Sequence, residues 1–261
     1  MDFRYYDVPQ DRQLRILDAV IRLYTERAEP VSSAAVSRAL EHSWSSATVR
    51  NVFTELDELG WLVQPHRAAG RIPTDLGYRV YVERVVRPAP RGRDWQPQLA
   101  SALGPQADSL AQQLERAARL ISRLSHALGI SLLIVSPPEA RRADAQGRPR
   151  LTGVEELLGL PEFEDPRRLR VLVHLLDDAT SVGESLRALT DPPGQVQVRI
   201  GSENTLSELG QFSLVGACIQ RSDESAIMGL LGPVRMEYPL VLGSMEALVA
   251  LLHDRGREAW S

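Results

Sequence analysis

Apolar positions recur every three to four residues along much of the chain and cluster into short runs elsewhere, and this rhythm predicts most of its elements. Over 11–27, DRQLRILDAVIRLYTER, the residues Leu14, Leu17, Val20, Ile21 and Tyr24 fall on one side of a helix that Pro30 ends. SSAAVSRALEH offers Ser32 or Ser33 as a cap and turns Val36 and Leu40 inward. After a brief turn at His42 to Trp44, SSATVRNVFTELDELG opens on another serine cap, buries Val49, Phe53, Leu56 and Leu59, and closes at Gly60. Two short helices divided by a tight turn make a helix-turn-helix candidate. WLVQ and RIPT then read as strands joined by HRAAG, with Pro73 suited to a strand edge. Two such strands directly behind a recognition-type helix describe a winged helix. A fourth helix starts at Thr74 or Asp75, with Tyr78, Val82 and Val85 on one side.

The stretch PAPRGRDWQP breaks the pattern, so residues 88–105 are read as a linker between a domain at 1–87 and a second at 106–261. In the second, residues 106–128 carry Leu110, Leu114, Ala117, Leu120, Ile121 and Leu124 on one helical face, and ISLLIV follows as a buried strand. Residues 137–150, PPEARRADAQGRPR, read as an exposed loop. LTGVEELLGLPEF and PRRLRVLVHLLDD read as helices, the latter with Pro166 in its first turn. VQVRIG, FSLVGACIQ and SAIMGLLG have strand character, and MEYPLVLGSMEALVALLHD closes as a helix. Helices around three or four strands with hairpin-length connections predict an α+β domain with a largely antiparallel sheet.

Composition narrows the function. A chain of 261 residues with 43% hydrophobic and 25% charged residues has ordinary globular make-up and room for two domains. It holds no apolar run of membrane-spanning length, and MDFRYYDVPQ lacks the order of a signal peptide, so a cytoplasmic protein without a membrane partner is expected. The single cysteine, Cys218, sits in an apolar run and reads as a buried structural residue. All 30 basic residues are arginine, and the formal charge is -4. Residues 1–87 are electrically balanced, so the acidic excess lies beyond them. A balanced first domain does not advertise nucleic acid by its charge, and any such case rests on local placement.

Catalytic chemistry finds no constellation. The histidines at 42, 66, 126, 174 and 253 have no metal-ligand spacing, so neither a metal nor a cofactor is expected. Asp177 and Asp178 diverge by about 100° on a helix and read as a solvated end rather than an acid/base pair. GLLGPVRM lacks the lysine of a phosphate loop; its glycines read as tight turns beside strands. A small hydrolase has no nameable nucleophile and base.

Two segments stand out instead. Ser46, Thr48, Arg50 and Asn51 lie off the apolar stripe near the start of the third helix, where they could hydrogen-bond bases or phosphates or simply form a polar surface. In HRAAGR, His66, Arg67 and Arg71 surround Ala68 and Ala69, which keep the tip slim, and Gly70, expected to let the backbone turn. Such a tip suits a phosphate backbone or a minor groove.

EPVSSAAVSRAL followed by SSATVRNVFTELDELGWLVQPHRAAGRIPTDLGYRVYV resembles the N-terminal domain of the HrcA family of bacterial heat-inducible transcription repressors. GVEELLGLPEFEDPRRLRVLVHLLDD, RIGSEN and GPVRMEY resemble its C-terminal half. The resemblance implies a winged-helix repressor without enzymatic activity that binds an inverted-repeat operator of chaperone genes as a homodimer. It also implies a GAF-like second domain and a chaperonin as modulator. The DNA-binding residues would be Ser46, Thr48, Arg50 and Asn51 on the helix and His66, Arg67, Gly70 and Arg71 in the wing. The competing reading is a regulator whose GAF-like domain binds a small molecule.

Family members commonly have about 340 residues with an inserted dimerising segment, most of which is missing here, so the GAF-like domain is expected in reduced form. The wing reads HRAAGR where HTSAGR is expected, and Val52 stands where an acidic residue is expected; both changes are read as making the DNA-facing surface less negative.

Overall fold

The computed structural model describes residues 11–87, 95–105, 108–135, 149–190, 193–221 and 224–258. They fall into two compact units divided between residues 89 and 90.

The first unit is built on α1 (Asp11–Arg27), α2 (Ser33–Ala39) and α3 (Ser46–Glu58), followed by the two-residue strands β1 (Leu62–Val63) and β2 (Ile72–Pro73) and by α4 (Asp75–Tyr81). Ile16, Leu17, Val20, Val36, Val49, Val52, Leu56, Tyr78 and Val82 are almost wholly buried, one row from each helix. Ser32, Ser45 and Thr74 cap α2, α3 and α4, each accepting a backbone N–H three residues on. After α4 the chain makes a π-helical turn at Val82–Val86, where Arg87 N bonds Val82 O at 2.9 Å. Val82 and Val86 are buried there, and Val85 is half-buried beside them.

The second unit begins inside the expected linker. Gln96–Leu103 forms α5, with Leu99 and Leu103 buried, because two leucines four apart give even a short helix a face to pack. Then come α6 (Leu110–Ser125), β3 (Leu128–Val135), β4 (Arg150–Thr152), α7 (Val154–Leu158), α8 (Pro166–Asp177), α9 (Ala179–Leu189), β5 (Gln197–Ile200), β6 (Phe212–Arg221), β7 (Glu224–Pro233) and α10 (Tyr238–Glu258). The segment expected as one helix from Leu151 divides into β4, α7 and a 3-10 turn at Pro161–Glu164, since Gly153 and Pro161 both interrupt it. Of the loop expected at 137–150, residues 137–148 lie outside the described residues, and Arg150 already belongs to β4.

The unit is α+β, with five strands in the order β4-β3-β7-β6-β5 and every pairing antiparallel. On one face α7, α8 and α9 bury Leu157, Leu172, Leu175, Val182 and Leu186 against Leu128, Leu214, Ile227 and Leu231. Helix α10 meets the alternate residues of β6, where the Tyr238 hydroxyl and Ser213 Oγ lie 2.7 Å apart. Gly216 and Gly229 are register partners in mid-sheet, not turn residues. A Cβ on either would lie 2.5–2.6 Å from Leu186 Cδ1, so these glycines admit α9 to the sheet. Asp177 and Asp178 are exposed; Asp178 caps α9, and hydrogen bonds from Ser181 hold its carboxyl below the usual range.

Candidate nucleic-acid interface

The turn between α2 and α3 is pinned from several sides. Glu41 and His42 both take left-handed backbone angles, with φ of 50° and 59°. Ser37 Oγ donates to Trp44 O at 2.7 Å, and the Arg15 guanidinium lies 4.9 Å from the Trp44 ring centroid. At the start of α3 the Ser45 hydroxyl accepts from Thr48 N at 3.1 Å, and the Ser46 and Ser33 hydroxyls lie 2.9 Å apart. The first residues of α2 and α3 are thereby joined through their side chains.

Along α3 the buried row is Val49, Val52, Phe53 and Leu56, and the outward row is Ala47, Arg50, Asn51 and Thr54. Arg50 and Asn51 are exposed, on the side expected of them. Ser46 and Thr48 are half-buried at the flank, with hydroxyls engaged by Ser33 and Ser45. Ala47 and Thr54 complete the outward row; their spacing of three and four residues from Arg50 and Asn51 was the signal for them. Val52 corrects the surface reading of its substitution. Its exposure is 0%, so it packs in the core and leaves the charge of the outer face untouched.

The hairpin is tied to both α1–α2 and α3. Leu62 pairs with Pro73 and Val63 with Ile72, and a bridge between Val31 and Arg71 adds a third short strand through two 2.8 Å hydrogen bonds. Gly70 does not turn the chain through a positive φ. A Cβ there would lie 2.3 Å from Val31 O, so glycine is needed for close approach. Arg71 Nε donates to both carboxylate oxygens of Asp57 at 2.9 and 2.7 Å, which fastens the returning strand to the last turn of α3. The tip closes when Gln64 Nε2 donates to Arg67 O at 3.2 Å and Ala69 O at 2.9 Å, with Ala69 N bonded to His66 O. His66 and Arg67 are exposed on this tip. Gln64, part of the QPH motif, was not expected to have this strapping role.

The site thus offers a guanidinium and an amide side by side on α3, a helix N-terminus lined with hydroxyls, and an exposed arginine at a braced hairpin tip. That set can donate to base edges and to phosphate oxygens. Arg71 differs from Arg67 in having its charge already met by Asp57. Among the described residues no three His, Cys, Asp or Glu side chains gather to hold a metal ion.

Comparison with known proteins places the chain. Residues 139–242 match the family described as HrcA protein C terminal domain. The heat-inducible transcription repressor HrcA of Thermosynechococcus vestitus is 29% identical, the alignment covering 89% of this chain and 93% of that protein. The HrcA of Symbiobacterium thermophilum is 27% identical over 95% of this chain and 98% of its own. The first alignment runs over 328 positions, whereas 89% of 261 residues is about 232, so about 96 positions have no counterpart here. A crystal structure of a hypothetical protein at 2.2 Å resolution shares the fold, with a TM-score of 0.73 and 20% identity over 95% of this chain and 99% of that one. Sequence kinship to the HrcA repressors runs through both units, the domain match lies in the second, and together they support an HrcA-family protein.

Proposed function

We propose that the chain is a transcription repressor, not an enzyme, whose first unit is a winged helix that reads an inverted-repeat operator of chaperone genes as a homodimer. Helix α3 enters the major groove with Arg50 and Asn51 at base edges and Ala47 close to the groove floor, while Thr54 follows the same row. The hydroxyl-lined start of α3, with Ser46 and Thr48, lies along a phosphate strand, where the helix dipole favours negative charge. His66 and Arg67 hold the neighbouring backbone or minor groove, Gly70 brings the hairpin close to Val31, and Arg71 contributes chiefly by bracing the wing through Asp57. The second unit, a reduced GAF-like domain, supplies the two-fold contact and the regulation, with a chaperonin as modulator.

The observation that carries this reading is the exposed Arg50–Asn51 pair on a helix whose inner row is fully packed. A small-molecule sensor is the competing function. The space between α7–α9 and the sheet, however, is filled by Phe163, Leu172, Leu186, Phe212 and Ile227, with the two phenylalanine rings stacked at 6.1 Å. Selection from a random duplex pool tests the repressor reading. Enrichment of a two-fold symmetric sequence is the expected result, and recovery of unrelated sequences with equal affinity would sink it.

A further inference from the structure

Helix α8 carries apolar side chains on two sides. Leu172 and Leu175 are buried in the core, yet Leu169 and Val173 stand outside at 36% and 49% exposure. Three of the four large apolar side chains exposed among the described residues, these two and Leu158, belong to α7 and α8. Single exposed leucines are ordinary; the charges on α8 make this face different. At successive steps of 100°, Arg170, Val173 and Asp177 form one outward row, with Leu169 beside Val173, and Arg170 and Asp177 are both exposed. Among the described residues neither has an ion-pair partner. The charge order also opposes the helix dipole. Arg167, Arg168 and Arg170 occupy the amino-terminal half, and Asp177 ends the helix, each where the opposite sign is favoured.

We infer that α8 is the seam on which a second copy of this chain docks, antiparallel, about a two-fold axis beside Val173 and His174. The midpoint between positions 170 and 177 falls there. An antiparallel copy sets Arg170 against the partner's Asp177 and Asp177 against the partner's Arg170, each pair about 5 Å from the axis along the helix. Val173 meets its own symmetry mate, and the Leu169 side chains flank it. One helix sequence is therefore complementary to itself in shape and in charge, as a two-fold contact requires. The charge order that costs an isolated α8 stabilises the pair. This inference rests on the two-fold reading of the preceding subsection and specifies where that contact forms.

Charge reversal in the full-length chain, followed by sedimentation velocity over a concentration series, tests it. R170D and D177R are both at exposed positions, and circular dichroism checks that each folds. Each alone places like charges together twice and should weaken self-association at least about tenfold. In an equimolar mixture, a dimer of one R170D chain and one D177R chain has both pairs complementary, so association should return to within about threefold of the parent. A mixture that associates no better than its components, or single variants that dimerise like the parent, would overturn the seam. If the parent dimerises and ignores both reversals, the seam alone falls. A parent chain that stays monomeric at every concentration, with and without DNA, takes down the two-fold reading as well.

Discussion

Arg71 clasps Asp57 with a bidentate ion pair, its side chain 17% exposed and that of Asp57 29% exposed, and so makes the hairpin and α3 one rigid piece. A double-mutant cycle with Arg71→Ala and Asp57→Ala should give a coupling of roughly 1 kcal/mol in denaturant unfolding, since the pair is partly sheltered and well aligned. Negligible coupling, with Arg71→Ala instead flattening the salt dependence of DNA binding, would make Arg71 a phosphate contact rather than a brace.

Gly70 is held within reach of the Val31 carbonyl. Gly70→Ala forces the bridge between Val31 and Arg71 apart and should cost about 1 to 3 kcal/mol in thermal or denaturant unfolding. Gly210→Ala is the control, because a Cβ there has nothing within 4 Å and the backbone is not left-handed. Equal effects at the two positions would refute the close-approach argument.

Val52 separates a core from a surface role. Val52→Glu puts a carboxylate where the side chain has no exposure and should unfold the first unit, as followed by circular dichroism. A surface position would tolerate the change within about 0.5 kcal/mol.

The tip of the wing is a test of charge without base reading. Arg67→Ala should lower affinity for operator and scrambled duplexes alike and reduce the slope of log affinity against log salt by about 0.9. Gln64→Ala, which releases the strap on Arg67 O and Ala69 O, should act in the same direction while leaving the charge in place. Loss confined to the operator would show that the tip reads sequence.

Much of the first unit was legible because its helices are amphipathic and carry serine and threonine caps, so period and cap agree at Ser32, Ser45 and Thr74. The π turn at Val82–Val86 was not legible, because no local composition marks such a turn. The inward turn of Val52 was available from the period itself, Val49 to Val52 to Leu56, but comparison of aligned residues ignores which way a side chain points. Contacts distant in sequence were the hidden part. Asp57 with Arg71, Val31 with Gly70, and Leu186 over Gly216 and Gly229 depend on tertiary approach that neither spacing nor propensity encodes. In the second unit, α5 was hidden in a Pro- and Gly-rich stretch that reads as linker until α6 gives Leu99 and Leu103 something to cover.

The central claim is that α3 reads sequence through its outward row, and one ratio tests it most directly: affinity for the selected two-fold duplex over affinity for a scrambled duplex, at fixed salt, for the parent and for Arg50→Ala. The parent ratio should be large, and Arg50→Ala should cut it by roughly 1 to 3 kcal/mol, about 5- to 150-fold, with little change toward the scrambled duplex. An Arg50→Ala ratio equal to that of the parent, or equal losses on both duplexes, would contradict the account.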